Sequence, residues 1–144
     1  MMSYEKLDVY QTSIEVLGIA AQVIDRLPRG FSTLGDQLRR ASMSMPLNIA
    51  EGAGKRTKAD CRKYFDNARG SAMECGAVFD VCLSLDLAPR ELLLRGKQLL
   101  ERIVSMLTRL SQETATTPKS TFDAQAHGHA DAHEDAKVER PRQR

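Results

Sequence analysis

The chain has no tryptophan, only three tyrosines and four phenylalanines, so aromatic residues make up 5% of its 144 positions. A core short of large rings is filled by Leu, Ile, Val, Met and Ala, which suits helices packed closely along their length. Cysteine is scarce and odd in number: three residues without paired motif spacing do not make a secreted disulfide framework. No apolar run approaches the length of a membrane span, and the Met-Met-Ser-Tyr-Glu-Lys start does not read as a hydrophobic leader, so a cytoplasmic protein is expected. Excess charge is missing too. A net +2 is too small to argue nucleic-acid binding by itself, and any such signal must lie in how the charges are distributed. P-loop, dinucleotide fingerprint and nucleophile elbow are absent, and all three histidines fall after residue 126. The chain is therefore not read as an enzyme, and no cofactor is expected.

What is present is helical periodicity. One bundle domain over residues 1–113 and a disordered polar tail over 114–144 account for the length and the composition shift. A first helix is expected from about Lys6 to Arg26, with Leu7, Tyr10, Ile14, Leu17, Ala21 and Ile24 as its core seam, broken by Leu27-Pro28-Arg29-Gly30. A second ends at Gly52, where a left-handed cap is expected. Thr57 and Asp60 then form a helix start for a third helix, Lys58 to Leu85. In that helix Cys61, Phe65, Ala68, Ala72, Cys75, Phe79 and Cys82 alternate by four and three, placing every cysteine on one apolar seam. Ala68, Ala72 and Gly76, with Gly70-Ser71 between, predict a close approach by a neighbouring backbone. Pro89 fits the first turn of a fourth helix whose apolar face, Leu92 to Leu110, is broader than one bundle seam needs.

The second helix carries two rows side by side. Leu34, Leu38, Ala41, Met45 and Ile49 would face a core, while Arg40, Ser44, Asn48 and Glu51 form a polar ladder, with Asp36 as an N-cap or first-turn acid. Pro46 removes a backbone donor and crowds the Ser42 carbonyl, so a bend is expected there. The ladder reads either as a solvated face or as a buried or interfacial network joining Arg39, Arg40, Ser44, Asn48, Glu51 and Glu74.

Three stretches carry a family resemblance. They are Tyr4, Leu7, Val9, Tyr10 and Gln11; then Gln37-Leu38-Arg39-Arg40-Ala41 with Ser44-Met45-Pro46-Leu47-Asn48-Ile49-Ala50-Glu51-Gly52; then Phe65, Ala68, Gly70, Ser71, Ala72 and Glu74. Together they resemble the four-helix-bundle proteins encoded within intervening sequences of bacterial 23S ribosomal RNA genes. That family is also similar to the accessory protein of diversity-generating retroelements. Met45 stands where a β-branched residue is usual, and Cys75-Gly76 replaces a leucine-glutamate pair. The resemblance implies an all-α, antiparallel up-and-down bundle that assembles into a ring-like homopentamer.

Lys55-Arg56-Thr57-Lys58-Ala59-Asp60-Cys61-Arg62-Lys63 sets five cations against one acid, and Arg69 follows. Cations at a helix N-terminus face the unfavourable end of the dipole, so helix stability does not explain them, whereas phosphate binding does. A solvated connection kept soluble by charge is the competing reading. Without aromatic platforms other than Tyr64, the expected ligand is RNA or DNA backbone rather than particular bases. The alternative is a protein-interaction scaffold without nucleic-acid binding, whose partner the retroelement resemblance would make a reverse transcriptase. Cys61, flanked by Lys58, Arg62 and Lys63, is the thiol that a third, enzymatic reading would use. His127, His129, His133 and Asp131 offer imidazole and carboxylate ligands, but a mobile tail gives them no fixed geometry and no metal site is expected.

Overall fold

The computed structural model describes residues 2–115. A 3-10 turn, Ser3–Lys6, leads into α1 (Asp8–Arg26), α2 (Ser32–Gly54), α3 (Lys58–Leu85) and α4 (Arg90–Ala115). Short connections make successive helices antiparallel, and seams join α1 to α2, α2 to α3, α3 to α4 and α4 back to α1. The result is the expected up-and-down four-helix bundle, with no strand among the described residues. The tail expected over 114–144 begins with Thr114 and Ala115 still in α4, and residues 116–144, including the three histidines, lie outside the described residues.

The opening motif is a clasp. The Glu5 carboxylate accepts the Met2 N–H at 2.9 Å, Gln11 Nε2 donates to the Glu5 carbonyl at 2.9 Å, and the Tyr4 and Tyr10 rings meet edge to face at 4.9 Å. These contacts hold the 3-10 turn against the start of α1, satisfying backbone groups that a helix start leaves open.

The face that α1 buries is not the one expected. Val9, Thr12, Ser13, Val16, Ile19, Ala20 and Val23 are buried, whereas Ile14 is 42% exposed, Ala21 is exposed, and Leu7, Tyr10, Leu17 and Ile24 are only half-buried. Two rows at helical spacing compete in this segment. The winning row holds small and β-branched side chains that allow close packing. Its two hydroxyls cost little inside because Thr12 Oγ1 donates to the Asp8 carbonyl at 2.7 Å and Ser13 Oγ to the Tyr10 carbonyl at 2.6 Å.

In α2 the expected row holds: Leu38, Ala41, Met45 and Ile49 are buried and Leu34 is half-buried. Its ends differ. The helix starts at Ser32, a turn before Asp36, so Asp36 is no cap and pairs instead with Arg39 at 2.8 Å. It runs without interruption through buried Pro46 and past Gly52 to Gly54. Gly52 is therefore helical rather than a left-handed cap, and among the described residues Gly30 is the glycine with positive φ, at 99°. Gly52 is small for a packing reason: a Cβ there would stand 2.8 Å from the Phe65 ring and 3.2 Å from the Cys61 carbonyl oxygen.

The third helix has the expected bounds. The Thr57 hydroxyl accepts the Asp60 N–H at 3.1 Å, and Asp86 closes the helix at φ 55°. Phe65, Ala68, Ala72, Cys75, Phe79 and Cys82 are buried as the seam, and Cys61 is half-buried at its end. Of the small-residue row, Ala68 and Ala72 are buried, whereas nothing lies within 4 Å of a Cβ built on Gly70 and Gly76 meets only a Leu100 methyl at 4.0 Å. The tighter glycine is on α4, where a Cβ on Gly96 would stand 2.5 Å from the Phe79 ring. Pro89 precedes α4, its carbonyl accepting the Leu93 N–H at 3.2 Å. Leu93, Leu99, Leu100, Ile103 and Leu107 are buried, so the bundle itself absorbs most of the broad apolar face of α4.

Candidate nucleic-acid interface

Between α2 and α3 the chain has three residues in which to reverse direction. Lys55 is extended, Thr57 caps α3, and the α3 N-terminus opens at the end of the bundle where α1 starts and α4 finishes. Of the first four N–H groups of α3, that of Asp60 goes to the Thr57 hydroxyl and that of Cys61 to the Thr57 carbonyl at 3.0 Å. The Lys58 and Ala59 N–H groups are left pointing out of the helix end, the partial positive charge of its dipole behind them.

The cations differ in how free they are. Lys55 Nζ lies 3.4 Å from Glu51 and 5.0 Å from the centre of the Tyr64 ring. The hydrogen bond to Glu51, then the nearby Tyr64 oxygen, raise its pKa, so it stays charged throughout the physiological range. Arg62 stands 3.8 Å from Asp66, and Lys63 Nζ lies 5.8 Å from the centre of the Tyr64 ring. Arg56 and Lys58 are exposed and have no acidic partner among the described residues. Arg69 does not join them. It lies roughly 9 Å beyond Lys63 along α3, and its Nε donates to the Thr108 hydroxyl at 3.0 Å, making it part of the α3–α4 seam. At 100° per residue Lys58 and Arg62 share the side of α3 next to α4, while Lys63 points about 100° away, so the rim fans around the helix end. Tyr64, which sequence reasoning noted only as an isolated aromatic, is the platform on which Lys55 and Lys63 rest.

The six-residue polar network is only partly brought together. Asn48 Nδ2 donates to the Ser44 carbonyl and to Ser44 Oγ, both at 2.9 Å, and Ser71 Oγ donates to Ser44 Oγ at 2.9 Å, bridging α2 and α3. Ser71 was the missed member, readable only once α3 is laid against α2. Arg39 and Glu51 make local pairs with Asp36 and Lys55, and Arg40 and Glu74 are exposed without an ion pair among the described residues.

Burial pushes the Cys75 thiol up to about 12 and raises that of Cys82, so both behave as small apolar residues. Cys61 Sγ donates to the Lys55 carbonyl at 3.4 Å, finishing the end of α2. Among the described residues no group of three His, Cys, Asp or Glu is placed to hold a metal ion, and no helix is long and apolar enough to cross a membrane.

Apolar surface remains on two opposite faces. On α1 and α2, Ile14, Met43 and Leu47 are exposed beside Leu17 and Ala21, Leu47 to 63%. Between α3 and α4 an open groove of about 510 Å³ is floored by Ala72, Gly76, Leu100 and Val104, with Met73 on its edge and the Asp80–Lys97 pair, 2.6 Å apart, at one end.

Comparison with curated proteins finds no match to the chain. The model of one protein family matches residues 5–109, the span from the N-terminal clasp through most of α4, and on that match the chain belongs to the 23S rRNA-intervening sequence proteins.

Proposed function

We propose that this bundle is a non-enzymatic, self-associating protein that binds the phosphate backbone of RNA or DNA through Lys55, Arg56, Lys58, Arg62 and Lys63. The observation that carries the reading is the placement of Arg56 and Lys58, which have no acidic partner among the described residues, at an open helix N-terminus, a position that lowers helix stability yet presents cations and free N–H groups to an anion together. Arg69, committed to Thr108, contributes to the seam rather than to the rim. Apolar faces on opposite sides of one bundle favour head-to-tail association, which closes into a ring when the rotation between subunits permits. The family resemblance makes that ring a homopentamer. Repetition would turn a modest charge per chain into a multivalent basic surface.

The test is light-scattering mass after nuclease and high-salt treatment, with absorbance recorded before and after, followed by salt-dependent retention of RNA. Engagement of five cations per chain predicts a slope of log K against log salt of about −3.5 for single strands. Reversing the five charges should abolish retention while leaving the mass unchanged. A monomer free of nucleic acid refutes the proposal.

The exposed apolar pair Met43 and Leu47, with Arg40 and Glu74 exposed on neighbouring helices and without an ion pair among the described residues, supports the second reading, a scaffold for a protein partner such as a reverse transcriptase. On that reading the five charge reversals leave partner binding intact.

A further inference from the structure

Two hydrogen bonds set the register of α4 against α3. Arg69 meets Thr108 and Asp66 meets Ser111, so three residues up one helix correspond to three down the other. One further turn brings Ala115, the end of α4, level with Arg62. The chain therefore leaves the bundle beside the basic rim.

The sequence that follows is sorted by charge. Residues 120–136 carry Asp123, Asp131, Glu134 and Asp135 and not one lysine or arginine, whereas 137–144 carry Lys137, Arg140, Arg142 and Arg144 against Glu139. Seven residues separate Ala115 from Asp123, a reach of up to roughly 25 Å. That suffices to return to Lys58, about 6 Å along α3 from Arg62. Of the acids nearest to hand, Glu51 pairs with Lys55 and Asp66 with both Arg62 and Ser111, while Asp60, exposed within the rim, forms no ion pair among the described residues. Arg56 and Lys58 have none among the described residues.

We propose that the acidic segment 123–135 of the same chain docks on the rim formed by Arg56, Lys58, Arg62 and Lys63, and thereby competes with nucleic acid for it. The competition rests on the backbone-binding function proposed above; the docking does not. Tethering makes a weak multi-charge contact effective, because the segment is held at high local concentration. Salt weakens it, since the cations of the rim are exposed. A rim occupied nine-tenths of the time by the chain's own acids lowers the apparent affinity for nucleic acid tenfold.

Docking is read directly by carbodiimide cross-linking of the full chain and mass spectrometry of its peptides. Isopeptide links from Asp131, Glu134 or Asp135 to Lys58 or Lys63 are expected at low salt and should vanish in 0.5 M salt. Links from these acids to Lys137 alone overturn the proposal. Mixing isotope-labelled with unlabelled chains checks the occupant, and links only between unlike chains overturn the same-chain assignment. Competition is read with a fluorescent oligouridylate 20-mer and the full-length variant D123N/D131N/E134Q/D135N. About tenfold tighter binding by the variant supports it, and equal binding overturns it. If rim cross-links form but neither chain binds the oligonucleotide, docking stands and the nucleic-acid function falls.

Discussion

Gly96→Ala puts the packing of α4 to a quantitative test. Replacing glycine by alanine inside a helix gains about 1 kcal/mol in propensity. At this position the new methyl would stand 2.5 Å and 3.1 Å from two carbons of the Phe79 ring and 3.3 Å from Ile19 Cγ2. Carbon pairs prefer about 3.5 to 4.0 Å, so the ring must retreat by about 1 Å. Phe79 is fully buried, and such overpacking costs about 1–3 kcal/mol, leaving a net loss of about 1 kcal/mol. Gly70 is the control, because nothing lies within 4 Å of its Cβ position and Gly70→Ala should gain about 1 kcal/mol. Urea unfolding followed by helical circular dichroism, at one protein concentration so that self-association is constant, should separate the two midpoints by about 1 M. In a Phe79→Leu background the penalty at Gly96 should shrink or change sign. If Gly96→Ala matches Gly70→Ala, or its cost ignores residue 79, the packing argument is wrong.

Two further outcomes follow from side-chain placement. Ser71→Ala removes the donor that bridges to Ser44 and should cost about 1 kcal/mol in thermal melts, whereas Glu74→Ala, one turn away and exposed, should stay within about 0.5 kcal/mol. The folded state holds the Cys75 thiol protonated to about pH 12, while the unfolded chain releases that proton near its ordinary value of 9.0. Stability attributable to this group is complete below pH 9 and falls by up to about 1.4 kcal/mol per pH unit above it; Cys75→Ala should flatten the alkaline limb of a stability–pH profile by that amount.

Helix existence and order were legible because Pro28, Thr57 and Pro89 punctuate three connections and the α3 seam repeats strictly by four and three. The inward face of α1 was not. Hydropathy ranks Leu and Ile above Thr and Ser, yet a hydroxyl bonded to its own helix carbonyl is nearly free to enter a core. The duties of Gly52 and Gly96 depend on which aromatic ring arrives from another helix, which no local pattern encodes. For the rim, composition alone groups Lys55 to Lys63 around the start of α3, but only the α3–α4 register shows Arg69 turned away to Thr108. Of the polar ladder, Ser44 and Asn48 are joined, while Arg40 and Glu74 lie exposed without an ion pair among the described residues.

The order of the seams sets how this molecule can assemble. Three of the four interfaces join helices adjacent in the chain, so each can close over a short loop, with α2 and α3 needing only Lys55, Arg56 and Thr57 to turn back on themselves. Only the α1–α4 seam must bring together segments far apart in sequence. Hairpins can therefore form quickly and independently, and the bundle is completed when its first and last helices meet. A nascent chain still lacking α4 would hold the inner sides of α1 and α3 open to water, an interval in which α1 and α3 of another copy offer the nearest apolar partners.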